Sequence, residues 1–158
     1  MVQVATTSLF TSTRDLLKSI LVANVTDPRT GTSNSRRRWI YRDFPDTTSF
    51  DYSQYPIIVL GHTELETNPE TLTNTFQDGG FVWEIQIVAE FNDPNSRVDT
   101  ISDEVVDAIF NSSGQTTLQD GGLFAPKVLS SSTTLTSEDR KQLVNRLIRL
   151  DLTGFYCT

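Results

Sequence analysis

Residues 81–91 read FVWEIQIVAEF. Phe81, Trp83, Ile85, Ile87, Ala89 and Phe91 alternate with Val82, Glu84, Gln86, Val88 and Glu90. A period of two belongs to a strand, whose successive side chains point to opposite faces of a sheet. One set is apolar throughout and the other is mixed. The stretch therefore predicts a long strand in a sheet covered on one side, and the rest of the chain must supply the cover.

Two segments have the right period. Val98, Ile101, Val105, Ala108 and Ile109 recur at three- and four-residue spacing down to Asn111, which predicts a helix with one apolar stripe. Ser96 and Asp99 before it read as a capping box. Near the start, Leu9, Leu16, Leu17, Ile20, Leu21 and Asn24 fall on one helical face, with Arg14, Asp15 and Lys18 turned away. Ser12 with Asp15 offers one start for that helix and Leu9 an earlier one; Asn24 and the Asp27-Pro28 pair close it.

The remaining strands are weaker signals. Trp39, Ile40 and Tyr41 form a short one, and residues 57–60, IIVL, a compact one with Pro56 at its head. Residues 61–79 read as a polar loop, Asp78-Gly79-Gly80 and Asp120-Gly121-Gly122 as turns, and residues 112–120 as a Gly/Ser/Gln loop. A strand is expected around residues 127–135. Residues 137–146 are open between a helix capped by Ser137 and a strand; the alternation of Ile148, Leu150 and Leu152 favours strand from Arg146 onward. The order predicts one α+β domain over residues 1–158: a mostly antiparallel sheet with two helices packed on one face, and long polar loops.

Composition narrows the function. The 158 residues are 37% hydrophobic and 21% charged, the balance of a globular chain. The longest apolar runs are four residues, far short of the roughly 20 that a bilayer span needs. The first residues, MVQVATTSLF, do not follow a secretory-signal pattern. One cysteine, Cys157, permits no internal disulfide, which is compatible with a reducing cytoplasm.

The net charge of −7 is unevenly spread. Residues 1–42 carry seven basic and two acidic side chains, residues 43–120 one basic against fifteen acidic, and residues 121–158 five basic against three acidic. Four of the basic residues fall in residues 34–42, NSRRRWIYR. Arginines beside aromatics serve either to stack single-stranded bases or to anchor a protein interface. A net of −14 in the middle block opposes the counterion release on which phosphate binding depends. It also supplies a partner of opposite sign, so a protein interface is the reading favoured.

Chemistry finds little purchase. His62 is the only histidine, and pairing it with Glu64 gives one imidazole and a loop carboxylate, too few ligands for a metal site. Cys157 has no nearby group to activate it as a nucleophile. No phosphate-binding GxxxxGK[ST] loop occurs. Asp103, Glu104 and Asp107 read as the solvated side of the second helix. No catalytic residue, cofactor or metal is expected.

The N-terminal amphipathic helix, the YPIIVL stretch, WEIQIVAEF, DTISDEVVDAIF and the closing RLIRLDLTGFY together resemble the tail terminator (tail completion) proteins of long-tailed viruses, and more widely the minor tail and head–tail joining proteins. The likeness lies in the order and length of elements over nearly the whole chain; the insertions at 26–38 and 61–79 depart from it. It implies a virion protein assembled in the host cytoplasm. Copies would form a ring, a hexamer in that family, that caps the tail tube, meets the neck or head-completion protein, and leaves a channel for DNA. A ring repeats one head-to-tail contact, so two different surfaces must be complementary. On this reading Arg36, Arg37, Arg38, Trp39 and Arg42 form one side of the contact, and Glu64, Glu66, Glu84 and Glu90 the other. The alternatives are a stopper protein one layer up in the neck, a single-stranded nucleic-acid binder using the Arg/aromatic run, and a small enzyme using His62 and Glu64.

Overall fold

In a computed structural model the chain is described over residues 9–69, 76–92, 97–138 and 141–157; side chains are not described at Leu9, 62–69, 76–79, Glu138 and 155–157. The elements run α1 (Leu9–Asn24), β1 (Ile40–Tyr41), β2 (Ile57–Pro69), β3 (Phe76–Glu90), α2 (Val98–Phe110), α3 (Ser112–Asp120), β4 (Leu123–Glu138) and β5 (Lys141–Cys157). The strands form one sheet in the order β1-β2-β3-β5-β4, antiparallel except for the parallel pair β1 and β2. The fold is α+β with a mostly antiparallel sheet, as the alternation in residues 81–91 predicts. Among the described residues the α-helices number three rather than two.

The apolar face of β3 decides the core. Phe81, Trp83, Ile85 and Ile87 are fully buried, flanked by Ile58 and Leu60 of β2 and by Ile148, Leu150 and Leu152 of β5. The helices cover this face with Leu17, Ile20 and Leu21 from α1, Ile101, Val105, Ala108 and Ile109 from α2, and Leu118 from α3. Removing each such large side chain from water stabilises the fold by about 1.5–3 kcal/mol. On the opposite face, Phe50, Tyr55, Ile57, Val59, Val88 and Leu143 make a smaller cluster at one end of the sheet. Beyond it, Val82, Glu84, Gln86, Asn145, Leu147 and Arg149 are only half-buried.

Several local expectations change. Residues 61–69 are strand, not loop: they pair with β3 through to Pro69↔Gln77, after a register shift between Leu60 and Thr63. Backbone pairing needs no buried face, so a polar sequence hides it. Gly79 and Gly80 lie within β3, opposite Gly154 and Thr153, and are not a turn. Residues 141–146 are strand, which settles the ambiguity before Arg146. Ser96 lies outside the described residues; the residue flanking α2 is Arg97, whose side chain caps nothing.

Residues 112–120 form α3, where a loop is expected from sequence. Its nine residues include one buried apolar side chain, Leu118, too few to set a period. Capping decides it instead. Asn111 ends α2 by donating its N–H to Asp107, and its Oδ1 accepts the N–H of Gly114 at 2.7 Å, the bond of an N-cap. Position 114 must be glycine, because a Cβ there would lie 2.0 Å from the Ala108 carbonyl oxygen. Glu104, placed by the sequence on the solvated side of α2, accepts the backbone N–H of Thr26 at 2.7 Å and ties α2 to the loop after α1.

Candidate interaction site

The arginine run lies between α1 and β1, and its members point to different ends. Arg37 turns inward to Asp27, which is fully buried. Its Nε and Nη2 donate to the two carboxylate oxygens of Asp27 at 2.8 and 2.7 Å. Ser35 Oγ and the backbone N–H of Arg29 donate to the same carboxylate. Burial by itself raises the pKa of Asp27. The hydrogen bonds from Arg37, Arg29 and Ser35, with the Arg37 charge, outweigh it and hold the carboxyl below the ordinary carboxylate value.

From this hub two arginines grip the next loop. Arg37 donates to the carbonyls of Gln54 and Pro56 at 2.9 and 3.1 Å. Arg29 donates to those of Tyr55 and Tyr52 at 2.8 and 3.0 Å. The loop closes with a short 3-10 turn, Tyr52–Gln54, capped by Asp51, and a cis Tyr55–Pro56 peptide. It carries Tyr55 and Phe50 onto the sheet, with ring centroids 5.8 Å apart.

Trp39 is also interior. It is 4% exposed within the helix-side core, its carbonyl accepts the Ile58 N–H at 2.7 Å, and the Arg37 guanidinium lies 5.5 Å from its ring. Its place just before β1 explains this: Trp39 bonds to the edge of β2 and, with Ile40, packs into the core that α1 covers. Arg42 reaches Asp15 of α1 at 3.1 Å, and Arg14 reaches Asp43 at 2.9 Å while its guanidinium sits 5.4 Å from the Trp83 ring. The two acids of the basic block, Asp15 and Asp27, thus neutralise two arginines of that block. The expectation that Arg36, Arg37, Arg38, Trp39 and Arg42 together face a partner is revised accordingly: Arg37 and Trp39 are structural, and Arg42 has an intrachain partner.

What stays outward is a smaller basic surface. Arg36 and Arg38 are exposed, and neither meets a carboxylate among the described residues. The Arg38 guanidinium rests 5.1 Å from the Tyr41 ring. With Lys18 of α1 they border a groove of about 180 Å³ floored by Val22, Trp39 and Ile40. Three cations around a partly apolar floor suit a carboxylate-bearing partner.

The acidic candidates lie elsewhere. Glu84 is half-buried on the open face of β3, where its carboxylate is 3.9 Å from Arg149 of β5. Glu90 borders a groove of about 330 Å³ with Phe91, Arg97, Asp99 and Arg146, and Arg146 donates to Asp99 at 2.6 Å. Glu64 and Glu66 stand on β2 opposite Val82 and Gly80; their side chains, and those of His62 and Cys157, are outside the described residues. Among the described residues no ion pair links Glu84 or Glu90 to residues 36–42, and no group of three or more His, Cys, Asp or Glu is placed to hold a metal.

Sequence reading missed Asp27 and Arg29. The available signal was a lone acid in a basic loop, beside Pro28 and ahead of three arginines. No helix among the described residues is long and apolar enough to cross a membrane. No family model matches the chain, and no curated protein matches it.

Proposed function

We propose that this chain is a structural virion protein that assembles into a ring at the end of a long viral tail, joining the tail tube to the neck around a channel for DNA. The observation that carries the reading is the cationic surface formed by exposed Arg36 and Arg38 with half-buried Lys18. The two acids of the basic block, Asp27 and Asp15, are already engaged by Arg37 and Arg42, so this surface has charge to offer a neighbour. An acidic surplus elsewhere in the same polypeptide provides the complementary side that a head-to-tail contact requires. The resemblance in element order to tail terminators supplies the place in the particle and the expected hexamer; a stopper in the neck differs only in the neighbour it binds.

The rival reading, a single-strand nucleic-acid binder, has less support. Of the aromatics near the arginines, Trp39, Phe50 and Tyr55 are buried and cannot offer a face to a base. Filter binding to single-stranded DNA across a salt series separates the two: weak binding is expected, and tight, steeply salt-dependent binding would favour the rival.

The deciding experiment is Arg36→Glu with Arg38→Glu in the virus. The purified variant keeps the wild-type thermal transition, since both side chains are exposed. Particles lose the chain from the tail–neck density, or tails and heads accumulate unjoined. Normal particles carrying the variant would overturn the reading.

A further inference from the structure

An edge strand presents unpaired N–H and C=O groups, and proteins shield such edges with lysine, proline, bulges or short length. β4 is the last strand of the sheet, and its two halves differ. The first carries Pro126, Lys127 and two register shifts, between Phe124 and Lys127 and between Val128 and Ser130. The second, residues 130–137, SSSTTLTS, has none of these. It pairs with β5 without interruption from Ser130↔Arg149 to Ser137↔Gln142, every residue is exposed, and it carries no charge. Leu135, 67% exposed, stands with Phe91 at the lip of a groove of about 220 Å³.

The chain contains a strand edge that fits. β1 covers β2 only at Ile58 and Val59. Residues 61–69 pair with β3 on one side and, among the described residues, with nothing on the other. The second run carries a register shift after Leu60 and ends at Pro69, which leaves residues 63–68 as its uninterrupted part, slightly shorter than 130–137. Following the antiparallel pairings across the sheet, β4 runs opposite to β2. Two copies side by side in the same orientation therefore bring β4 of one against β2 of the next as an antiparallel pair, the more stable pairing. Charge points the same way. Residues 61–69 contain Glu64 and Glu66 and no lysine or arginine, so two β2 edges would set glutamates against each other. The uncharged β4 edge raises no such opposition.

We propose that residues 130–137 take up residues 61–69 of a second copy of this chain, so that one sheet continues from copy to copy. The inference rests on the reading that copies assemble, and it names the backbone contact that joins them. The two runs lie toward opposite ends of the sheet, so successive copies are staggered along the strands, as strands are in closed barrels.

The test uses the full chain with Cys157→Ser and two single-cysteine variants, Thr133→Cys and Thr67→Cys, with a short thiol-specific crosslinker. Mixing the two gives crosslinked product that neither gives alone. Product from Thr133→Cys alone at the same yield would mean that β4 pairs with itself, and absence of product from the mixture would mean no pairing; either overturns the proposal. Adding Ser132→Glu and Thr134→Glu lowers the mixed yield about tenfold through like charges opposite Glu64 and Glu66, whereas Ser132→Lys and Thr134→Lys does not lower it. Equal effects of the two pairs would also overturn it. Both pairs change exposed residues, and circular dichroism verifies folding. If crosslinking fails while the Arg36 and Arg38 reversal still removes the chain from particles, the strand pairing falls and the proposed function stands.

Discussion

The two faces of the sheet are held by different means. The helix side buries a continuous apolar layer from Phe81 to Leu152 under three helices. The other side buries six residues at one end, beneath a loop that is held down by arginine-to-carbonyl bonds, and leaves the rest half-open. Apolar area secures the first; a buried charge network secures the second. Stability and availability for contact are thereby assigned to separate parts of one small domain.

The largest effect should come from the first face. Trp83→Ala removes the biggest fully buried side chain and is expected to cost about 4 kcal/mol by chemical denaturation; a loss below that of Phe50→Ala would break the contrast. Next is the hub of the second face. Asp27→Ala leaves Arg37 without its buried carboxylate and should cost about 3 kcal/mol, with resonances of residues 52–56 shifting and those of α2 holding still.

Acid probes the same hub. Because the folded pKa of Asp27 is depressed, its stabilising contribution is complete above the unfolded value of 3.8 and is lost as pH falls through the lower folded value. Wild-type stability should therefore decline below about pH 4, and Asp27→Asn should flatten that decline. Phe50→Ala, at the rim of the smaller cluster, should cost roughly 2 kcal/mol. Thr134→Ala, on the open edge, should change stability by less than about 0.5 kcal/mol.

The same contrast marks what was legible in the sequence. Period-two and period-3.6 patterns arise from burial, so α1, α2 and the far end of β3 could be read to within a residue or two, whereas β3 begins at Phe76, five residues before its alternation shows. α3 escaped because Asn111 and Gly114 create it through a cap and a close approach, neither of which leaves a hydrophobic period. Residues 61–69 escaped because their order comes from backbone pairing with β3. In the candidate site, Arg36, Arg37 and Arg38 are alike as letters. Only the fold shows that Arg37 faces Asp27 while its two neighbours face outward; residues 27 and 37 come together through a loop whose path carries no sequence signature.

Arg29 and Arg37 take hold of Tyr52, Gln54, Tyr55 and Pro56 at their carbonyl oxygens. Such a clasp is blind to spelling. The outward side chain of Tyr52 could be exchanged during divergence without loosening it, so this position is where related molecules are free to acquire a new vocabulary of contacts on an unaltered frame.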